Sequence, residues 1–137
     1  MDYYHLAKGM GKVAFSGVWL AAAYYLARTA FIFAMKRPSL AGFKGVLEQV
    51  VPIARNAHPY IGVAVLLVFP FHAFMMYSPY GIGVRMVTGM VSAAGAVATI
   101  SLGFALWRNR GNLKVRQWHR LSMFMLLAAA TAHNLFK

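Results

Sequence analysis

Four long apolar runs, each close to the length needed to cross a lipid bilayer, constrain this 137-residue chain more than any other feature. They cover about residues 13–35, 57–77, 82–107 and 115–136, and basic or turn-forming residues separate them. A membrane-spanning α-helix needs about 20 mainly apolar residues, because each residue advances the helix by only ~1.5 Å. We therefore expect four membrane-spanning helices.

The composition agrees with a membrane protein of one domain, residues 1–137. The chain is 61% hydrophobic and only 12% charged, whereas about a quarter of the residues in soluble domains are charged. It has no cysteine, which excludes disulfides, iron–sulfur ligation and covalent c-type haem attachment. The net charge of +12 favours basic residues at membrane–water boundaries, in contact with lipid, over nucleic-acid binding.

The segments between the runs predict how the helices connect. Two basic residues and Pro38 end the first run, and apolar residues at 43, 46, 47, 50 and 51 then follow the spacing of a short amphipathic helix on the membrane surface. Residues 78–81, SPYG, predict a tight turn between the second and third spans. The expected fold is an all-α, integral membrane, up-down-up-down four-helix bundle with a short interfacial helix between spans one and two.

Basic residues also predict the orientation of the bundle. Lys and Arg residues are concentrated on the cytoplasmic side of membrane proteins. The side holding the loops between spans one and two and between spans three and four has nine of them, and the other side has four: Lys8, Lys12, Arg85 and Lys137. We therefore expect a protein of the bacterial cytoplasmic membrane with both termini outside.

Histidines repeat with one spacing on two of the predicted spans. His58 and His72 lie fourteen positions apart on the second span, and His119 and His133 lie fourteen apart on the fourth. Fourteen residues turn an α-helix through about 1400°, about 40° short of four full turns, so both histidines of a pair lie on nearly the same face, ~21 Å apart. Spans two and four run in the same direction, so four imidazoles would form two facing pairs at two depths.

Two imidazoles at each depth indicate the kind of cofactor. They are too few for the usual tetrahedral zinc or copper site, whereas a planar tetrapyrrole supplies the other four ligands itself. We therefore predict two haem b groups with iron held by His58 and His119 at the inner site and by His72 and His133 at the outer site. Small residues expected to pack against the macrocycles are Gly62, Gly89 and Gly95.

The carboxylate side chains of haem, its propionates, need cationic partners, and arginine suits a carboxylate well. The predicted partners are Arg28, Arg55, Arg116 and Arg120 for the inner haem and Arg85 for the outer haem. Arg28 lies within the first span, where a charge is costly without a partner. His5 belongs to no pair, and we expect it at the surface of the amino-terminal segment.

The paired histidines on spans two and four resemble the di-haem core shared by respiratory cytochrome b and by ferric-reductase or NADPH-oxidase-type membrane domains. The segment RQWHRLSMFMLLAAATAH, residues 116–133, is especially similar to the second group. The resemblance covers about residues 55–137. The Pro-Glu-Trp quinol motif of cytochrome b is absent, as are the extra helices of both groups and the flavin and nicotinamide domain of the oxidase group, so the resemblance implies electron transfer without specifying a donor or acceptor.

The function predicted from the sequence is electron transfer across a membrane through two bis-histidine haems. The chain fits an electron-transfer cytochrome, or a subunit of a quinol-linked oxidoreductase, better than a stand-alone catalyst. Its partner would be a quinone in the bilayer, a dehydrogenase or a soluble redox protein. Two alternatives remain open: a pigment-binding subunit whose histidines each ligate one chlorophyll magnesium, and a cofactor-free anchor subunit of a larger complex.

Overall fold

The computed structural model describes residues 3–80 and 83–135, and this part of the chain is all-α. Its helices are α1 (Tyr3–Met35), α2 (Ala41–Tyr80), α3 (Val84–Arg108) and α4 (Leu113–Leu135), and a 3₁₀ turn, Pro38–Leu40, precedes α2. The predicted all-α class is confirmed. The predicted first residue of span three, 82, and the predicted last residue of span four, 136, lie outside the described residues.

The second helix differs from the prediction of a separate interfacial helix. Residues 41–80 form one continuous helix of 40 residues, so the amphipathic segment is its first third, and residues 78–80 of the predicted turn are its last turn. The reason lies in the side chains that pack towards α1. Buried and half-buried positions recur at 47, 51, 54, 58, 61, 65, 68 and 72, alternating steps of four and three, and this register passes through Pro52 without a break.

The helices pack as two pairs, α1 with α2 and α3 with α4, while the contacts between α2 and α3 and between α1 and α4 are sparse. Each pair is antiparallel. On α1, Ala7 contacts His72 and Ala21 contacts His58. On α3, Arg85 contacts His133 and Thr99 contacts His119, so residues further along one helix meet residues earlier on the other.

A small apolar core lies at mid-height. It contains one buried residue from each helix, Val18, Val65, Ala96 and Leu126, with Ile61 and Leu127 packed against it. Val65 is seven residues from each histidine of α2, and Leu126 is seven residues from each histidine of α4. The core therefore separates the two histidine levels with a layer of apolar side chains.

The outer surface is also apolar. Large hydrophobic side chains are exposed along all four helices, among them Leu20, Val63, Val97 and Phe124, as expected for a protein that lies in lipid. Within the described residues, three helical segments are long and apolar enough to cross a membrane: Tyr3–Met35, Pro38–Met76 and Val84–Arg108. Helix α4 is not among them because its histidines and basic residues lower its mean hydropathy, and its crossing remains a prediction.

Candidate functional site

The four histidines on α2 and α4 form two facing pairs. The ring centroids of His58 and His119 are 6.0 Å apart, with the ring planes at 88°. Those of His72 and His133 are 6.3 Å apart, with the planes at 79°. The two histidines of each facing pair come from α2 and α4, whose backbones are not in direct contact. Their imidazoles span the space between the α1–α2 pair and the α3–α4 pair.

Each imidazole is held by a backbone carbonyl of the neighbouring helix in its own pair. The Nδ1 atoms of His58, His72, His119 and His133 lie 3.0, 2.8, 2.9 and 3.1 Å from the carbonyl oxygens of Ala21, Ala7, Thr99 and Arg85. A carbonyl oxygen only accepts hydrogen bonds, so Nδ1 carries the proton and donates it. In each neutral ring Nε2 is then left with a free lone pair, the form in which imidazole binds a metal ion.

Glycines one helical turn after three of these carbonyls leave room for the rings. A Cβ atom at Gly11 would lie 2.6 Å from Cε1 of His72, and one at Gly89 or Gly103 would lie 3.1 Å from Cε1 of His133 or His119. The fourth corresponding position, one turn after Ala21, holds Tyr25. The neighbouring Tyr24 packs its ring against the His58 ring at 5.4 Å.

Gly11 was not predicted from the sequence, and Gly103 was predicted only as one of several small residues of the third span, although a more specific signal existed. Gly89 and Gly103 are separated by the same fourteen residues as the histidines, and so are the acceptor pairs Ala7 and Ala21 on α1 and Arg85 and Thr99 on α3. All four helices therefore share one repeat.

The outer pair borders a cavity of about 270 Å³ between all four helices. Apolar and small side chains form most of its wall, including Phe15, Phe69, Met86 and Ala130. Lys8, Lys12 and Arg85 also line it. Arg85 was predicted near the outer pair; the two lysines were interpreted from sequence only as markers of orientation.

The arginines predicted near the inner pair have different surroundings. Arg120 lies over the Tyr25 ring, with Cζ 5.5 Å from its centroid. Arg116 donates a hydrogen bond from Nη2 to the carbonyl oxygen of Arg110 at 2.6 Å, in the connection between α3 and α4. Arg55 is exposed one turn before His58, and Arg28 is half-buried two turns beyond the Ala21 carbonyl.

The remaining predicted residues are placed as follows. Gly95 packs against α4, where the Cα atom of Leu126 would lie 3.6 Å from an added Cβ, so Gly95 permits close approach of two helices. Gly62 has no neighbouring heavy atom within 4 Å of such a Cβ. His5 is exposed near the start of α1, and its ring packs edge-on against Tyr4 at 5.7 Å.

The donor set limits the metal chemistry. In the described part of the chain no three His, Cys, Asp or Glu side chains come together, so each level offers two imidazole nitrogens. Comparisons with protein-family models, curated proteins and solved structures found no match to this chain. Its function is therefore inferred from the geometry of the residues themselves.

Proposed function

We propose that this protein is an integral membrane di-haem cytochrome b, an up-down-up-down four-helix bundle that transfers electrons between the two faces of a membrane. The proposal rests on the two facing pairs of imidazoles, in which each ring donates a hydrogen bond from Nδ1 to a backbone carbonyl oxygen. His58 and His119 would bind the iron of the inner haem, and His72 and His133 that of the outer haem.

The spacing of the rings supports axial ligation. A metal–imidazole bond is about 2.0–2.1 Å long and a ring nitrogen lies about 1.1 Å from the ring centre, so two imidazoles on opposite sides of one ion have centroids about 6.3 Å apart. The observed separations are 6.0 and 6.3 Å. Edge-to-face ring contacts fall in the same range of distances, so the support comes from the recurrence of this separation at both levels.

The carbonyl partners and glycines supply orientation and room. A hydrogen bond from Nδ1 fixes the tautomer and the ring direction and makes Nε2 a stronger ligand. The acceptors are backbone atoms of regular helices, and Thr88 Oγ1 makes a further contact with Nδ1 of His133 at 3.2 Å. Gly11, Gly89 and Gly103 let three of these rings lie close to the neighbouring helix.

The residues between the levels define the route across the membrane. Bound haem supplies a one-electron couple, and two axial imidazoles leave no coordination position for oxygen chemistry. The two levels are ~21 Å apart along α2, and the buried apolar layer of Val18, Val65, Ala96 and Leu126 lies between them. The chain would thus hold two redox sites in line while blocking the passage of protons and ions.

The proposed surroundings are a bacterial cytoplasmic membrane with the basic connections in the cytoplasm and both termini outside. The electron donor would be a quinol in the bilayer or a dehydrogenase that docks on the basic side, and the acceptor would act at the other face. This division follows from the positions of the Lys and Arg residues.

The testing experiment is a reduced-minus-oxidised absorbance spectrum of the purified protein with a haem count per chain. We expect two b-type haems, and His119→Ala and His133→Ala should each remove one and leave the other. Purified protein without haem would overturn the proposal and favour an anchor subunit, and a chlorophyll-type spectrum would favour a pigment subunit. Loss of both haems in each variant, with helical circular dichroism retained, would contradict two independent sites.

A further inference from the structure

The cavity beside the outer histidine pair has a basic rim, formed by Lys8, Lys12 and Arg85. The two lysines lie in the first turns of α1 and the arginine lies at the start of α3. Both helix pairs therefore contribute to the rim. Lys8 and Lys12 are one helical turn apart and lie on either side of Gly11, the glycine that faces His72. Arg85 supplies the carbonyl that accepts the hydrogen bond from His133.

Within the part of the chain that the structure describes, no Asp or Glu lines the cavity beside the rim. The whole chain contains only two acidic residues, and Asp2 lies outside the described residues. The other, Glu48, pairs with Lys44 at 3.7 Å on α2, more than twenty residues from His72 and towards the opposite end of the molecule.

Lys8 and Lys12 are exposed, with Lys8 Nζ 5.9 Å from the centroid of the Tyr4 ring, and Arg85 is half-buried. All three cations would attract an anion bound in the cavity. A rim of three cations beside a mainly apolar cavity is suited to an anion that enters from outside the chain.

The distribution of charge along the chain agrees with a binding role. The outer side of the predicted topology carries only four basic residues, and three of them are the rim; the fourth, Lys137, lies outside the described residues. Basic residues are disfavoured on this side of a membrane protein. Their concentration at one cavity indicates a binding role, because basic residues on the outer side weaken the charge difference that orients the protein in the membrane.

We propose that the basic rim binds the two carboxylates of the tetrapyrrole held by His72 and His133. The inference rests on the proposed function and assigns the outer haem propionates to Lys8, Lys12 and Arg85. Arginine offers a planar pair of donors that matches one carboxylate, and the two lysines offer point charges for the other. The outer site would then select a macrocycle that carries two ionised carboxylates.

The test compares two probes that differ only in those charges: ferric protoporphyrin IX and its dimethyl ester. Each is titrated into the haem-free full-length protein in detergent, in a His119→Ala background that retains only the outer site, and binding is followed by the bis-imidazole absorbance bands. We expect the diacid to bind about tenfold or more tightly than the diester, since two charge-assisted contacts are lost with the ester. Lys8→Gln/Lys12→Gln should reduce this preference severalfold and leave binding of the diester unchanged.

A matched control is Lys36→Gln/Lys114→Gln, which removes two exposed lysines at the opposite end of the molecule. It should leave the preference for the diacid over the diester unchanged. An equal loss of preference in this control would overturn the inference, because the effect would then be one of net charge. An unchanged preference in the rim variant, with both probes bound, would also overturn it and leave the proposed function standing. Failure of both probes to bind the His119→Ala protein, with its helicity retained, would overturn the proposed outer haem site itself.

Discussion

At the scale of single residues, the site depends on backbone carbonyls and on the absence of side chains. Each histidine donates to a main-chain oxygen, which sets its tautomer, and His133 has a further contact with Thr88 Oγ1 at 3.2 Å. This arrangement suits a membrane interior, where an unpartnered polar side chain costs several kcal/mol. Glycine provides the room at three of the four rings, and most tightly at Gly11, where an added Cβ would lie 2.6 Å from Cε1 of His72.

The residue-scale prediction concerns Gly11 and its neighbour Gly9. Gly11→Ala places a Cβ 2.6 Å from Cε1 of His72, which forces the ring or the helix to move and should cost about 1–3 kcal/mol. We expect outer haem affinity to fall roughly tenfold while the inner haem is unaffected. Gly9→Ala is the control, because nothing lies within 4 Å of a Cβ at that position. The number of haems per chain is the measurement. Equal haem content in the two variants would contradict the inference that Gly11 makes room for the His72 ring.

At the scale of helices, the common feature is a repeat of seven residues. The inward positions of α2 alternate steps of four and three from residue 47 to residue 72, the spacing of helices that wind around each other with a left-handed twist. Fourteen residues are two such repeats. The shortfall of about 40° expected for a straight helix is taken up by this winding, so both histidines of a helix face the same partner.

The element-scale prediction tests whether the α1–α2 contact supports both levels. At Gly17 an added Cβ would lie 2.5 Å from Cγ2 of Val65, at the mid-height core. Gly17→Leu should push the two helices apart, weaken their packing by about 1–3 kcal/mol and reduce the occupancy of both haem sites, since His58 and His72 both depend on α1 carbonyls.

The matched control for this prediction is Gly45→Leu, on the first turns of α2, where nothing lies within 4 Å of an added Cβ. It should keep both haems. If Gly17→Leu removed only one haem, the two levels would not share the α1–α2 contact as we infer. Absorbance per haem and thermal loss of the haem bands provide the measurement.

At the scale of the whole molecule, the two helix pairs differ in length. From its inner histidine α2 extends 17 residues back to Ala41, ~25 Å, whereas α4 extends only six residues back to Leu113, ~9 Å. Helix α2 therefore projects ~16 Å beyond α4 at the basic end of the molecule. The projecting part continues the helical core register and leaves Phe43, Val46 and Val50 exposed.

The whole-molecule prediction concerns orientation. The chain has no cysteine, so single cysteines can be introduced at two exposed glycines, Gly111 between α3 and α4 and Gly83 before α3. In intact cells a membrane-impermeant maleimide should label Gly83→Cys and not Gly111→Cys, and inverted membrane vesicles should give the opposite result. The reverse pattern would invert the predicted orientation, and labelling of both from one side would exclude an α3 that crosses the membrane.

The sequence alone determined the helical class, the approximate helix positions and the four histidines as two sets, because apolar length and fourteen-residue spacing are properties of one helix at a time. It did not determine that residues 41–80 form one helix, since a proline and a short amphipathic pattern also fit a break at that point. Only the continuous packing register against α1 decides between the two.

The tertiary structure alone decided which groups contact the four imidazoles. The acceptors of the four imidazoles are main-chain atoms, so no residue type marks them, and Gly11 becomes part of the site only because α1 packs antiparallel to α2 beside His72. For the same reason, the sequence alone indicated only a role in orientation for Lys8 and Lys12. In the fold, these two lysines line the outer cavity together with Arg85. Spacing along one helix specifies a face, and the packing of helices specifies what that face meets.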